Sequence, residues 1–115
     1  MKPLIYLAGP YTAPDVAVNV KKAVLLGQRL YDDFGVLTIV PHFFHFEHML
    51  SPKDYEYWMA RDLDLIERCD ALLRMPGHSP GADREVEHAR QLDIPVLWTT
   101  SELTEWLTDW EPRCV

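Results

Sequence analysis

Residues 70–98 read DALLRMPGHSPGADREVEHARQLDIPVLW, and this stretch decides the fold. Asp70 to Met75 reads as a strand around Ala71-Leu72-Leu73, Pro76-Gly77-His78-Ser79-Pro80-Gly81 breaks it, Ala82 to Leu92 keeps a helical repeat, and Ile94 to Trp98 reads as a further strand. A strand, a helix and a strand over such short connections make a βαβ unit, with parallel strands and a right-handed crossover.

Within that unit one residue breaks the pattern. At about 100° per residue, Ala82, Val86, Ala89 and Leu92 form the apolar stripe of the helix, and Glu85 falls inside it, while Asp83, Arg84, Glu87 and Arg90 point elsewhere. A carboxylate facing the interior is costly to desolvate, so it marks either a structural acceptor or a working cleft. The helical pattern from Asp54 to Cys69 repeats the anomaly: Tyr55, Trp58, Met59, Leu65, Ile66 and Cys69 share an arc with Asp62 near its middle. Two inward acids on consecutive helices favour chemistry.

Working outward, Leu4 to Ala8 reads as a first strand stopped by Gly9-Pro10. Pro14-Asp15 opens a helix whose apolar positions run to Phe34, with Gly35 as its C-cap. Val36 to Val40 is a second strand ending at Pro41, and His42 to Ser51 reads as irregular and aromatic. Ser101 is the expected N-cap of a last helix, where Leu103, Trp106, Leu107 and Trp110 form a stripe that seals the core or, if exposed, a dimer interface. The fold class is therefore α/β: one domain over residues 1–115, flavodoxin- or Rossmann-like, with a parallel sheet of four to five strands between two helical layers. Ligands on such sheets bind beyond the carboxyl ends of the strands, which places the Gly9 loop, the His42 segment and the Met75–Gly81 loop around one crevice.

Composition narrows the function classes. The chain has 115 residues, ordinary globular composition and a formal net charge of -7, which disfavours a nucleic-acid backbone binder. No apolar run is long enough to span a bilayer, and the start lacks the pattern of a signal peptide. Cys69 and Cys114 form neither a disulfide framework nor a metal spacing, so a reduced, cytoplasmic protein is expected. His42, His45 and His48 recur every three residues but lack an HExxH arrangement or further ligands, so no metal is expected. The run from His42 and Phe43 to Phe46 suits either a nucleobase-facing lid or plain core packing.

Tyr6, at the carboxyl half of the first strand, is either a core aromatic or a phenol that orients a nucleophilic carboxylate. Ser79-Pro80-Gly81 is either a helix cap and turn or an anion cradle built from a hydroxyl and helix amides. At Ile5-Tyr6-Leu7-Ala8-Gly9-Pro10, Arg61-Asp62-Leu63 with Cys69-Asp70-Ala71-Leu72-Leu73, and Ser79-Pro80-Gly81-Ala82-Asp83-Arg84-Glu85, the chain resembles the nucleoside 2-deoxyribosyltransferase superfamily, which includes nucleoside 5′-monophosphate N-glycosidases. The resemblance implies Glu85 as nucleophile, Tyr6 as its orienting phenol, Asp62 as acid or sugar ligand, and Ser79 as a phosphate contact. Gly9, Pro10, His42, Phe43 and Gly81 would complete the substrate site. Asp83, Arg84 and Pro10-Tyr11-Thr12 depart from the pattern of the better-known members.

Cleaving an N-glycosidic bond develops oxocarbenium character, which one carboxylate can trap while a second acid protonates the departing base. On this reading Glu85 is expected to stay ionised and Asp62 to carry the raised pKa. The expected activity is hydrolysis of a (deoxy)nucleoside 5′-monophosphate with no cofactor, acting on a small molecule as a homodimer or higher oligomer. Base exchange between nucleosides is the alternative within enzymes, and a non-catalytic nucleotide sensor is the alternative outside them.

Overall fold

The computed structural model describes residues 1–112. Cys114 lies outside the described residues. In chain order the elements are β1 (Leu4–Ala8), α1 (Val16–Phe34), β2 (Leu37–Ile39), a 3-10 turn (Pro41–Phe43), α2 (Phe44–Leu50), α3 (Tyr55–Ile66), β3 (Ala71–Arg74), α4 (Pro80–Gln91), β4 (Val96–Leu97) and α5 (Thr100–Asp109). Four strands form one all-parallel sheet in the order β2-β1-β3-β4. β1 and β3 are its centre, with Tyr6 opposite Leu72 and Ala8 opposite Arg74.

The period-2 alternation of the strands separates two cores. Ile5, Leu7, Ala71, Leu73 and Leu97 face α1 and α5, where Ala23, Leu30 and Leu103 are buried against them. Tyr6, Ala8 and Leu72 face the other way, onto Ile66 of α3 and Ala82, Val86 and Ala89 of α4. The fold is thus the three-layer α/β arrangement with helices on both faces, as the hydrophobic patterning implies.

Local chemistry fixes the ends of α1. Asp15 Oδ1 accepts the Val18 amide at 3.0 Å, and Gly35 closes the helix at φ 68°, a conformation that glycine adopts without strain. In mid-helix, Gly27 meets β2: a Cβ there would lie 2.9 Å from Val40 Cγ2 and 3.2 Å from Thr38 Oγ1. Gly27→Ala would gain helix propensity and lose more to overpacking, with an expected net destabilisation of about 1–2 kcal/mol. Thermal melts of Gly27→Ala alone and with Val40→Ala check this; the double variant should recover part of the loss.

Three local expectations need correction. The His42–Ser51 segment is helical rather than irregular, because α2 is anchored by side chains that carry no apolar period. Leu92 is 44% exposed and lies beyond the end of α4, so it leaves the apolar stripe. The cap of α5 is Thr99, not Ser101: Thr99 Oγ1 accepts the Glu102 amide at 3.0 Å while Glu102 Oε2 accepts from the Trp98 amide and the Thr99 hydroxyl. Trp106 and Leu107 pack on the α1/α5 core, and Trp110 leans on Trp106 at 6.3 Å beyond the end of α5. No helix among the described residues is long and apolar enough to cross a membrane.

Candidate active site

The strand order reverses between β1 and β3, and the loops leaving these two strands open a cleft of about 590 Å³. Its walls are the Gly9–Ala13 loop, the turn at Pro41–His42 with α2, the Trp58–Asp62 face of α3, and the His78–Ala82 start of α4. Close backbone approach shapes this mouth. A Cβ on Gly9 would come 2.9 Å from Met75 Cβ, and one on Gly81 would come 3.2 Å from the Tyr55 hydroxyl. Gly77, at φ 115°, lets the chain turn between β3 and α4.

At the bottom lie the two inward acids. Glu85 on α4 is 5% exposed and accepts a 2.5 Å hydrogen bond at Oε2 from the hydroxyl of Tyr6, which is wholly buried. Asp62 on α3 lies against the same pair, and its Oδ1 is buried without a protein partner. Burial raises the Tyr6 pKa well above that of a free phenol, aided by the Glu85 and Asp62 charges, so Tyr6 remains a donor. Burial also pushes Asp62 up to about 6, against hydrogen bonds from Glu85 and Tyr6 that act downward.

Glu85 corrects an expectation. Burial first, and the Asp62 charge second, raise its pKa well above the ordinary carboxylate range, outweighing the Tyr6 hydrogen bond and the Arg74 charge. Glu85 is therefore not simply ionised. Burial and mutual repulsion both disfavour two charges here, so the carboxyls share a proton above the ordinary carboxylate range.

The remaining residues singled out in the sequence divide clearly. Gly9, Pro10, His42, Ser79 and Gly81 line the cleft with Asp62 and Glu85, and Tyr6 stands behind Glu85. Phe43 does not line it; its side chain is half exposed, because the 3-10 turn rotates it outward. His42 is only 3% exposed and donates Nε2–H to the Pro10 carbonyl at 2.9 Å, so it braces the β1–α1 loop more than it offers a face. Burial lowers its pKa and keeps the ring neutral. Ser79 caps α4, its Oγ accepting the Ala82 amide at 3.1 Å.

Arg74 is the residue that pattern reading passed over. It ends β3 on the α3/α4 side, is 5% exposed, and gives its guanidinium to the Met75 carbonyl, the Gly77 carbonyl at 2.9 Å and Asp83 Oδ1 at 3.0 Å. That fork ties the β3–α4 loop to the first turn of α4 and so fixes the approach to Glu85. A charge closing an apolar strand, nine residues before an acid on the following helix, was its sequence signal. Arg84, by contrast, pairs with Glu56 across the exposed α3/α4 surface, away from the cleft.

Residues 3–99 match the family described as a domain of unknown function, DUF7768. The chain belongs to that family. Among solved structures, this DUF7768 chain is similar to the 2-deoxyribosyltransferase of the psychrotolerant bacterium Bacillus psychrosaccharolyticus, at a TM-score of 0.56 and 22% identity over 81% of this chain and 69% of that one. At that identity the likeness establishes a shared fold. No curated protein matches the DUF7768 chain in sequence.

Proposed function

We propose that this protein transfers a glycosyl group from the N-glycosidic bond of a nucleoside or nucleotide, through a covalent intermediate on Glu85. The observation that carries this reading is the Tyr6 hydroxyl on Glu85 Oε2 at 2.5 Å, with Asp62 beside it at the bottom of a nucleoside-sized cleft. In the first step a Glu85 oxygen attacks the anomeric carbon, the carbon–nitrogen bond breaks, and its electron pair leaves with the base. The shared proton, which rests on Glu85, first shifts to Asp62, leaving Glu85 as the anion that the Tyr6 hydroxyl hydrogen-bonds, and then passes from Asp62 to that base. In the second step an acceptor attacks the same carbon, the ester to Glu85 breaks, and Asp62 takes the acceptor's proton.

Base exchange is the form supported by likeness to a 2-deoxyribosyltransferase fold. Hydrolysis of a nucleoside 5′-monophosphate is the second reading, favoured by Ser79. Its oxygen accepts the Ala82 amide, which leaves the hydroxyl hydrogen free to meet a phosphate oxygen at the amino end of α4. The test is chromatography of free base released from ribo- and deoxyribonucleosides and their 5′-monophosphates, with and without an acceptor base. Exchange requires the acceptor base; hydrolysis does not; release from neither substrate set would overturn the enzyme reading in favour of a binding module.

The pH profile follows from the shared proton. Both carboxyls have raised pKa values, so the pair is doubly protonated at low pH and loses its first proton as pH rises through about 6, the value of the Asp62 step; the singly charged pair is the form in which the remaining proton can pass from Glu85 to Asp62 and free the nucleophile. Base release should therefore rise across that step and fall again at higher pH, when the last proton leaves and the base departs unprotonated. Asp62→Asn should abolish the alkaline fall. A profile that is flat from pH 5 to 9 would sink the paired-acid mechanism.

A further inference from the structure

The three histidines at three-residue spacing all line the cleft, and none is redundant. His42 holds the Pro10 carbonyl, His45 Nδ1 meets the Tyr11 hydroxyl, and His48 Nδ1 receives the Trp58 indole N–H at 2.9 Å and the Lys53 amide at 3.3 Å. The last arrangement fixes a tautomer. Indole and amide nitrogens can only donate, so His48 Nδ1 must be the acceptor and the ring hydrogen must sit on Nε2. Among the described residues Nε2 has no protein partner, so whatever hydrogen bond His48 offers a ligand is a donated one. Lys53 lines the same wall, and its ammonium can also only donate. The carboxyl groups of Asp62 and Glu85 mark one end of the cleft, and His48 Nε2–H with the Lys53 ammonium makes a donor wall where α2 turns toward α3; His42, whose Nε2–H is spent on Pro10, keeps Nδ1 as an acceptor apart from that wall.

We infer that His48 is a specificity-determining residue, whose Nε2–H selects bases that present a carbonyl oxygen over those that present an amino group at the same position. This rests on the proposed nucleoside reading. With the sugar held at the carboxyls, the base extends along the donor wall. An oxo group there accepts from His48, whereas an amino group sets donor against donor and leaves both unpaired. His48 is thus a binding contact, and Trp58 and the Lys53 amide are the groups that hold its ring in register.

The test compares matched pairs, inosine with adenosine and uridine with cytidine, by calorimetric binding and by base release, in wild type, His48→Asn and His48→Gln. Asparagine keeps an acceptor near the Nδ1 position for Trp58 and loses the Nε2 donor; glutamine reaches the Nε2 position with a donor and gives up the Nδ1 acceptor. Wild type should prefer the oxo member of each pair by about tenfold, the worth of one hydrogen bond plus an avoided mismatch. His48→Asn should lose that preference while keeping the wild-type melting temperature, and His48→Gln should keep a part of it despite a looser fold. An oxo preference unchanged in His48→Asn would show that the ring serves only to hold Trp58 and would overturn the inference, as would equal binding of the two members in wild type. Oxo-selective binding without base release would refute the catalytic reading and leave the inference standing. Base release without selectivity would do the reverse, and absence of both binding and release would end both.

Discussion

Glu85→Gln is expected to abolish base release, by at least about a thousandfold, while making the protein more stable at neutral and alkaline pH. The activity loss follows from replacing the carboxylate that accepts the Tyr6 hydrogen bond with an amide that cannot form the glycosyl ester. The stability gain follows from linkage. The folded protein holds the Glu85 proton more tightly than the unfolded chain, so the protonated form's contribution is complete below the ordinary carboxylate range and is lost as pH rises through the raised folded value. Glutamine stays neutral throughout and still accepts from Tyr6, so it escapes that loss. Melting temperatures at pH 5 and pH 8 should show a gap between variant and wild type that widens with pH. A variant less stable than wild type at pH 8 would identify Glu85 as a structural acceptor instead.

Arg74→Met should destabilise the fold by about 2–4 kcal/mol, the largest stability effect expected outside the cores. Methionine fills most of the volume but leaves the Met75 and Gly77 carbonyls without their guanidinium donor and Asp83 without its partner. Arg74→Lys should fall between the two, because an ammonium cannot span the fork. Since the Arg74 charge also lowers the Glu85 pKa, losing it should move the acid limb of the base-release profile to higher pH. Denaturant melts together with that profile check both parts; a melt change with no shift in the limb would confine Arg74 to holding the loop.

Those two residues also show what could be read from the chain and what could not. Glu85 and Asp62 were visible because helical period is a strong signal and an acid inside an apolar arc contradicts it. The sheet was legible for the same reason, since four buried runs separated by helical patterns admit few arrangements. The raised pKa of Asp62 was legible from its apolar arc, but that of Glu85 was not: it depends on its own burial and on the proximity of a second helix's charge, neither of which a period encodes. The helical nature of α2 was hidden because its residues are fixed by His42, His45, His48 and the ring of Phe44 beneath Arg61, each satisfied by a partner far along the chain or across the cleft. Arg74 was hidden because a strand end tolerates either a solvated or a buried cation, and only the carbonyls of the next turn decide between them. Phe43 was misplaced by the same ignorance of a turn's rotation.

Tyr6 and Glu85, joined by one hydrogen bond, are separated by 79 positions in the chain. During synthesis the first of them is made long before the second exists, and no local segment can bring them together. Closing so long a loop costs entropy that only the docking of β1 between β2 and β3, with α4 across it, can offset. A chain interrupted anywhere before α4 lacks Glu85 and cannot form this pair, so under the proposed mechanism the appearance of base release during refolding would time the completion of the sheet itself.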